Sequence, residues 1–418
     1  MTALSGLAGW HRAWPCLGVL LAGWRRVCPC LGVLLVLAGC SDDAGELTPQ
    51  HITVELQPCS QSFLDVQPIS GMSRTGNATR SYIAPAWVPS GYYTYDYFFE
   101  EGTDHGSFAM QKNLVNKSIT TFFTQNGASP MEGTFFYFES ATPRWRLDME
   151  IESAGTYYLY GCMPTEDFTS ASVASADYSE GAVLTINGLN SVTPSDVCVI
   201  VGAKEGTGET TVSGLQTGQF ATALRAVQTT TTTEHNYIFL LFDHIYSSLR
   251  FRFTVAAGYD QLRTIKLRRL ELRAGGTTIK SKYNAEVILK EGVGIENIIF
   301  TGAEGSSGSE FNTIFAPSTP STEATLTSGQ YTDFMGCFVP GQEFYQFDLR
   351  STYDVYDKQG NLIREGCQAV NSFNLRDIFG ENTVLRRGHT YSVSLTVNPT
   401  YLYVLSEPDL DNPTVSLQ

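Results

Sequence analysis

Trp145-Arg146-Leu147-Asp148-Met149-Glu150-Ile151-Glu152 sets the fold class of this chain. Apolar and charged side chains alternate without a break. Successive side chains of an extended strand point to opposite faces, so this stretch has one face for a core and one for water. The same period recurs elsewhere. Leu249, Phe251, Phe253 and Val255 alternate with Arg250, Arg252 and Thr254. Phe347, Leu349, Tyr353 and Val355 alternate with Asp348, Arg350, Thr352 and Asp354, and Tyr391, Val393, Leu395 and Val397 with Ser392, Ser394 and Thr396. One wet face per strand is the pattern of antiparallel sheets. Between Ile265 and Leu272 the alternation slips at Arg268-Arg269, which predicts a β-bulge. Asp357-Lys358-Gln359-Gly360 predicts a hairpin loop.

Helical periodicity is scarce, and Thr, Ser and Gly fill the gaps between apolar runs, as in Gly305–Ser309 and Pro317–Thr322. An aromatic content of 12% also favours strands. The class expected is all-β, with two tandem antiparallel β-sandwich domains. The Thr229–Thr233 run lies ahead of the alternating block that begins near Tyr237 and reads as a linker, with the boundary near 230–236. The expected division is a signal peptide over 1–39, a propeptide with first strand and exposed loop over 40–80, an N-terminal domain over 81–232 and a C-terminal domain over 233–418.

The N-terminal signal rests on Arg25 and Arg26, the apolar run Val27–Leu37, then Leu37-Ala38-Gly39-Cys40 and the acidic Ser41-Asp42-Asp43. The run is too short for a membrane span, which needs about 20 apolar residues. Cys16–Leu21 is echoed by Cys30–Leu35, and only the second copy leads to a Cys with acidic followers. Leaving out residues 1–39 removes Arg12, Arg25 and Arg26 from 27 basic side chains; the remaining 24 face 42 acids, a net charge of −18. Such a surface repels nucleic acid and anionic lipid.

Enzyme signals are weak. Cys59, Cys162, Cys198, Cys337 and Cys367 are widely spaced with no C-x-x-C, which argues against a zinc site. Cys337 and Cys367 could pair, and buried free thiols are the other reading. His51, His105, His235, His244 and His389 form no H-E-x-x-H. His244, in Phe242-Asp243-His244-Ile245-Tyr246, reads as a structural residue hydrogen-bonded at a strand start. No G-x-S-x-G elbow occurs. Gly206-Thr207-Gly208-Glu209 reads as a turn, and Asp409-Leu410-Asp411-Asn412 as a solvated acidic tail. No catalytic residue, metal site or cofactor is expected.

After residue 40 comes a short alternating strand, His51-Ile52-Thr53-Val54-Glu55-Leu56, with Ile52, Val54 and Leu56 on one face. The following stretch, Ile69–Ser81, is small, polar and Gly-bearing, and its only basic side chains are Arg74 and Arg80. Loops of that composition are where proteases cut.

The lipobox with acidic followers, the first strand and the Arg-bearing loop together resemble the fimbrillin family of Bacteroidales, the Mfa-like and FimA-like lipoproteins of type V pili. Three further segments are similar to that family: Trp145–Pro164, with Gly155-Thr156-Tyr157-Tyr158-Leu159-Tyr160 at its centre; Leu240–Phe251, with its L-x-F-x-H and L-x-F pattern; and Gly388-His389-Thr390-Tyr391-Ser392-Val393. The resemblance implies transthyretin-like sandwiches, lipid attachment at Cys40, display at the outer membrane and a structural rather than enzymatic role. It implies that a protease cuts at Arg74 or Arg80 and removes the strand carrying Ile52, Val54 and Leu56. A neighbouring subunit's strand then fills the groove by β-augmentation; Tyr401–Leu405 and Thr414–Leu417 are the candidate donors. The partners implied are other fimbrial subunits, the membrane through the lipid, and host or bacterial surface receptors. An uncut anchor subunit, a tip adhesin with extra loops such as 304–330, and a glycan-binding lipoprotein using Trp87, Trp145 or the Tyr92–Tyr97 stretch are the alternatives.

Overall fold

In a computed structural model the described residues are 50–56, 87–88, 92–93, 118–138, 144–151, 154–206, 226–229, 236–276, 278–317, 323–341, 345–382 and 384–397. They are nearly all β, with short helices at Ala257–Asp260 and Leu375–Phe379 and a 3₁₀ turn at Thr165–Asp167. Cys40, Arg74, Arg80, Cys59, residues 207–225 and 230–235, and both candidate donor strands lie outside them.

In chain order the first strands are β1 (Gln50–Leu56), β2 (Trp87–Val88), β3 (Tyr92–Tyr93), β4 (Ser118–Thr124), β5 (Met131–Phe138), β6 (Arg144–Ile151), β7 (Gly155–Met163), β8 (Ser170–Ala174), β9 (Gly181–Asn190), β10 (Val192–Thr193), β11 (Cys198–Glu205), β12 (Ala226–Thr229) and β13 (Asn236–His244). They continue with β14 (Ser247–Val255), β15 (Arg263–Ala274), β16 (Lys282–Lys290), β17 (Gly294–Gly302), β18 (Asn312–Phe315), β19 (Ala324–Leu326), β20 (Thr332–Phe338), β21 (Gln346–Asp357), β22 (Leu362–Asn374) and β23 (Thr390–Val397).

The first sheet runs β11-β13-β1-β6-β5-β4-β7, and β11 also pairs with β7, so these seven strands close into a barrel. β12 continues along β7 beyond the reach of β11. Closure removes the exposed edges that an open sheet would leave. The barrel interior holds Ile52, Val54, Phe123, Phe135, Trp145, Leu147, Leu159, Ile200, Leu240 and Phe242 in one apolar cluster. The alternation read over Trp145–Ile151 is borne out: all four apolar residues are buried, and Asp148 and Glu150 are exposed.

The barrel wall is tight at Gly161 on β7. A Cβ there would collide with the Thr120 carbonyl on β4 and approach Ile200. Gly161→Ala therefore forces two paired strands apart. We expect it to lower stability by about 1–3 kcal/mol in denaturant unfolding, and an unchanged midpoint would refute this close approach.

A second apolar cluster fills the remaining sheets. One sheet runs β10-β20-β14-β23 and another β18-β15-β21-β22. They pack face to face: Phe251 on β14 meets Phe373 on β22 edge-on, with ring centroids 5.8 Å apart, and Phe338 on β20 meets Phe347 on β21 at 5.1 Å. A fourth sheet, β17-β16-β9-β8, joins strands from both sides of residues 230–235. Its Leu184 and Ile186 share a cluster with Tyr160, Val199 and Phe239 from the barrel. Likewise β13, which follows the Thr run, is a barrel strand.

The β14, β15 and β21 patterns hold, with three informative details. The ladder between β15 and β21 skips a residue between Leu267 and Arg269, the bulge expected there. The Asp357–Gly360 hairpin forms, with Gly360 at φ 87°, a conformation that suits glycine. Two residues read as water-facing are buried. Asp354 is fully covered and paired with Arg268, and Arg250 donates from Nε to Ser392 Oγ at 2.9 Å. A charged side chain can sit inside when its partner comes from the adjacent strand. Cys162, Cys198, Cys337 and Cys367 are free thiols, so the Cys337–Cys367 pair does not form.

Candidate functional site: the β1 slot

β1 lies between two strands that are far from it in sequence. It pairs antiparallel with β6 over six residues, from Gln50 opposite Ile151 to Glu55 opposite Arg146. It pairs parallel with β13 through Val54, Glu55 and Leu56 opposite Asn236, Tyr237 and Ile238. Without β1 the barrel is open, and β6 and β13 each present an unpaired edge.

The period-two register sends Ile52 and Val54 inward, where they are 1% and 0% exposed. Full burial of such side chains contributes about 1.5–3 kcal/mol each. Leu56 occupies the next position on that face by register, opposite Ile238. Polar contacts fix the middle of the strand. Thr53 Oγ1 donates to Asp148 Oδ1 at 2.7 Å, and Asn236 Nδ2 donates to the Thr53 carbonyl at 3.2 Å. Arg146 also donates to Asp148 Oδ1, from Nη2 at 3.1 Å. That outer ion pair is largely solvated and adds little.

Of the residues singled out in the sequence, the structure places Ile52, Val54 and Leu56 together on one slot. Trp145 is not a sugar platform, because it is buried inside the barrel. Trp87 sits opposite Tyr93 in the two-residue ribbon of β2 and β3.

His244 has the structural setting expected of it, but at the end of β13 rather than the start of a strand. It is fully buried, with Nδ1 2.7 Å from Asp196 Oδ2 and 3.5 Å from Cys198 Sγ. Both neighbours meet the same ring nitrogen, so this is not the relay of nucleophile, base and orienting acid, which needs both nitrogens. Burial pushes the Cys198 thiol well above its ordinary range, and the neighbouring Asp196 adds to this. Burial also raises Asp196, against the pull of His244. A thiol held neutral is a poor nucleophile.

No protein-family model matches the chain, and no curated protein matches it by sequence. Solved structures similar to it include fimbrial and adhesion proteins of Bacteroidales. A fimbrial protein from Bacteroides vulgatus aligns at 11% identity over 67% of this chain and 88% of its own, with a TM-score of 0.26. A protein assigned to cell adhesion from Parabacteroides distasonis aligns at 8% identity over 84% and 93%, with a TM-score of 0.29. The fimbrial anchor protein Mfa2 from Porphyromonas gingivalis aligns at 9% identity over 68% and 82%, with a TM-score of 0.25. Overlap at this level does not fix a common topology.

Proposed function

We propose that this chain is a structural subunit of a cell-surface type V fimbria, and that β1 is a removable plug. The observation that carries this reading is the position of β1. A strand from the N-terminal end of the chain completes a barrel whose other members all come from beyond residue 117. A single cut after Arg74 or Arg80, in the small, polar, Gly-bearing sequence that follows it, would separate it. Removing it would strip β6 and β13 of their partner and uncover the apolar interior, a strong drive for another strand to enter.

On this reading Cys40 carries the lipid that holds the precursor at the outer membrane, and cleavage follows Arg74 or Arg80. A C-terminal segment of a neighbouring subunit, Tyr401–Leu405 or Thr414–Leu417, enters the slot. A head-to-tail contact of this kind that does not close builds a filament. The partners are other fimbrial subunits, with adhesion to host or bacterial surfaces as the biological outcome. The role is structural, without catalysis or cofactor. The transthyretin-like tandem division at 232/233 belongs to the family resemblance.

The test is the N-terminal sequence and unheated gel mobility of the native protein, beside the Arg74→Ala/Arg80→Ala double variant. We expect the native chain to begin at Thr75 or Ser81 and to run as an SDS-resistant ladder, and the double variant to run as a monomer. A ladder undiminished in the double variant would sink the strand-removal reading. A blocked N-terminus at Cys40 with a single band would make the chain an uncut anchor or a glycan-binding lipoprotein.

A further inference from the structure

We propose that Asp196, Cys198 and His244 form a binding site for one zinc ion at the end of the barrel. Local geometry brings the three side chains together. Asp196 lies two residues before Cys198, the first residue of β11. Cys198 and His244 are directly opposite in the antiparallel ladder of β11 and β13. One carboxylate oxygen, one sulfur and one ring nitrogen thus converge, all within 4.8 Å of one another.

The donor set selects the class of metal. Thiolate, imidazole and carboxylate together suit zinc, whereas calcium and magnesium take oxygen alone and copper(I) prefers softer sets. The 3.5 Å between Sγ and Nδ1 is the separation that two donors reach around a tetrahedral zinc at bonds of about 2.3 and 2.0 Å. Asp196 Oδ2 and His244 Nδ1 are 2.7 Å apart, the spacing of a hydrogen bond with a proton between them. Zinc would take that proton's place and widen the gap by a few tenths of an ångström. The Cys198 thiol proton leaves to solvent, and the imidazole proton moves from Nδ1 to Nε2, so that a neutral ring, a thiolate and a carboxylate face the ion.

The metal-free cluster is also incompletely satisfied. Asp196 Oδ1 is fully buried and has no hydrogen-bond partner among the described residues. An orphaned buried acceptor of this kind costs about 1–3 kcal/mol, more when charged. A cation at the cluster compensates that oxygen and the buried carboxylate charge together. Because ligand deprotonation and folding are coupled, zinc bound here is held as part of the fold and not as a reagent.

The experiment is elemental analysis of the full chain produced with zinc in the medium and dialysed against a weak chelator. About one zinc per chain is expected. It should be absent from Cys198→Ser and Asp196→Asn, and retained in Cys367→Ser, whose thiol lies in another sheet. Cobalt substitution should add a thiolate charge-transfer band that Cys198→Ser lacks. Where the variants do not fold, the unsubstituted chain still decides. Its melting temperature should rise with added zinc and fall with a strong chelator. Wild-type chain that holds no zinc and melts identically with zinc or chelator overturns the proposal. So does zinc that persists in folded Cys198→Ser and disappears in Cys367→Ser.

Discussion

A chain beginning at Ser81 should fail to form a stable monomer, and a peptide spanning residues 48–58 should restore it. The loss is expected to be large because three effects of β1 vanish together. Ile52 and Val54 leave the barrel interior, the ladders to β6 and β13 disappear, and the ring of seven strands opens. The two side chains alone account for about 3–6 kcal/mol of burial, comparable with the whole margin of many domains. The shortened chain should therefore associate or aggregate through its uncovered slot. The peptide should bind it and return it to a single species in sedimentation. A peptide carrying Val54→Asp should bind roughly a hundredfold more weakly, about 3 kcal/mol, because it drives a charge into an apolar barrel. If the Ser81 chain melts as the full chain does, with no help from the peptide, β1 is dispensable and the plug reading falls with it.

Replacing Arg387 with Met should cost about 3–5 kcal/mol, because its side chain, only 16% exposed, pairs with a buried carboxylate. Arg387 Nη1 donates to Asp243 Oδ2 at 2.9 Å and to the His244 carbonyl at 3.0 Å, clamping the end of β13 against the turn that leads into β23. The Asp243 side chain is fully covered, and its Oδ1 accepts from the His244 N–H at 2.9 Å, so deleting the guanidinium removes a counter-charge from a buried carboxylate. The damage comes from a buried charge that has lost its counter-ion, and a second change should undo much of it. The Arg387→Met/Asp243→Asn double variant should recover at least half of the lost stability in urea unfolding. Equal melts for the single and double variants would mean that Arg387 acts through packing alone.

Both predictions concern contacts between distant parts of the chain, and there the sequence was hardest to read. Local features were legible. The alternation over β6, the bulge after Leu267 and the Gly360 hairpin all depend on neighbours within a few residues. The alternation sets Asp354 and Arg250 on the wet face, yet both are buried, because their partners, Arg268 and Ser392, come from other strands. Period-two reading sees which face a residue points to but not what lies against that face. The Asp196–Cys198–His244 cluster escaped for the same reason. A D-x-C entering one strand and a D-H ending another are unremarkable until an antiparallel ladder sets Cys198 opposite His244. Ile52 and Val54 could be seen as one face of a strand, yet nothing local indicates that β6 and β13 would be its flanks.

The mixed pairing of β1 bears on filament polarity. Being antiparallel to β6 and parallel to β13, it sits between two strands that run in opposite senses. Any strand entering that space, in either orientation, meets one parallel and one antiparallel neighbour, so the backbone does not choose between them. The alternation of inward side chains also reads the same both ways. Orientation is then left to the polar contacts at the middle of the slot, from Asn236 to the Thr53 carbonyl and from Thr53 to Asp148. In a polymer built through this slot, those few hydrogen bonds would decide whether every subunit faces the same way and whether the fibre has a distinct head and tail.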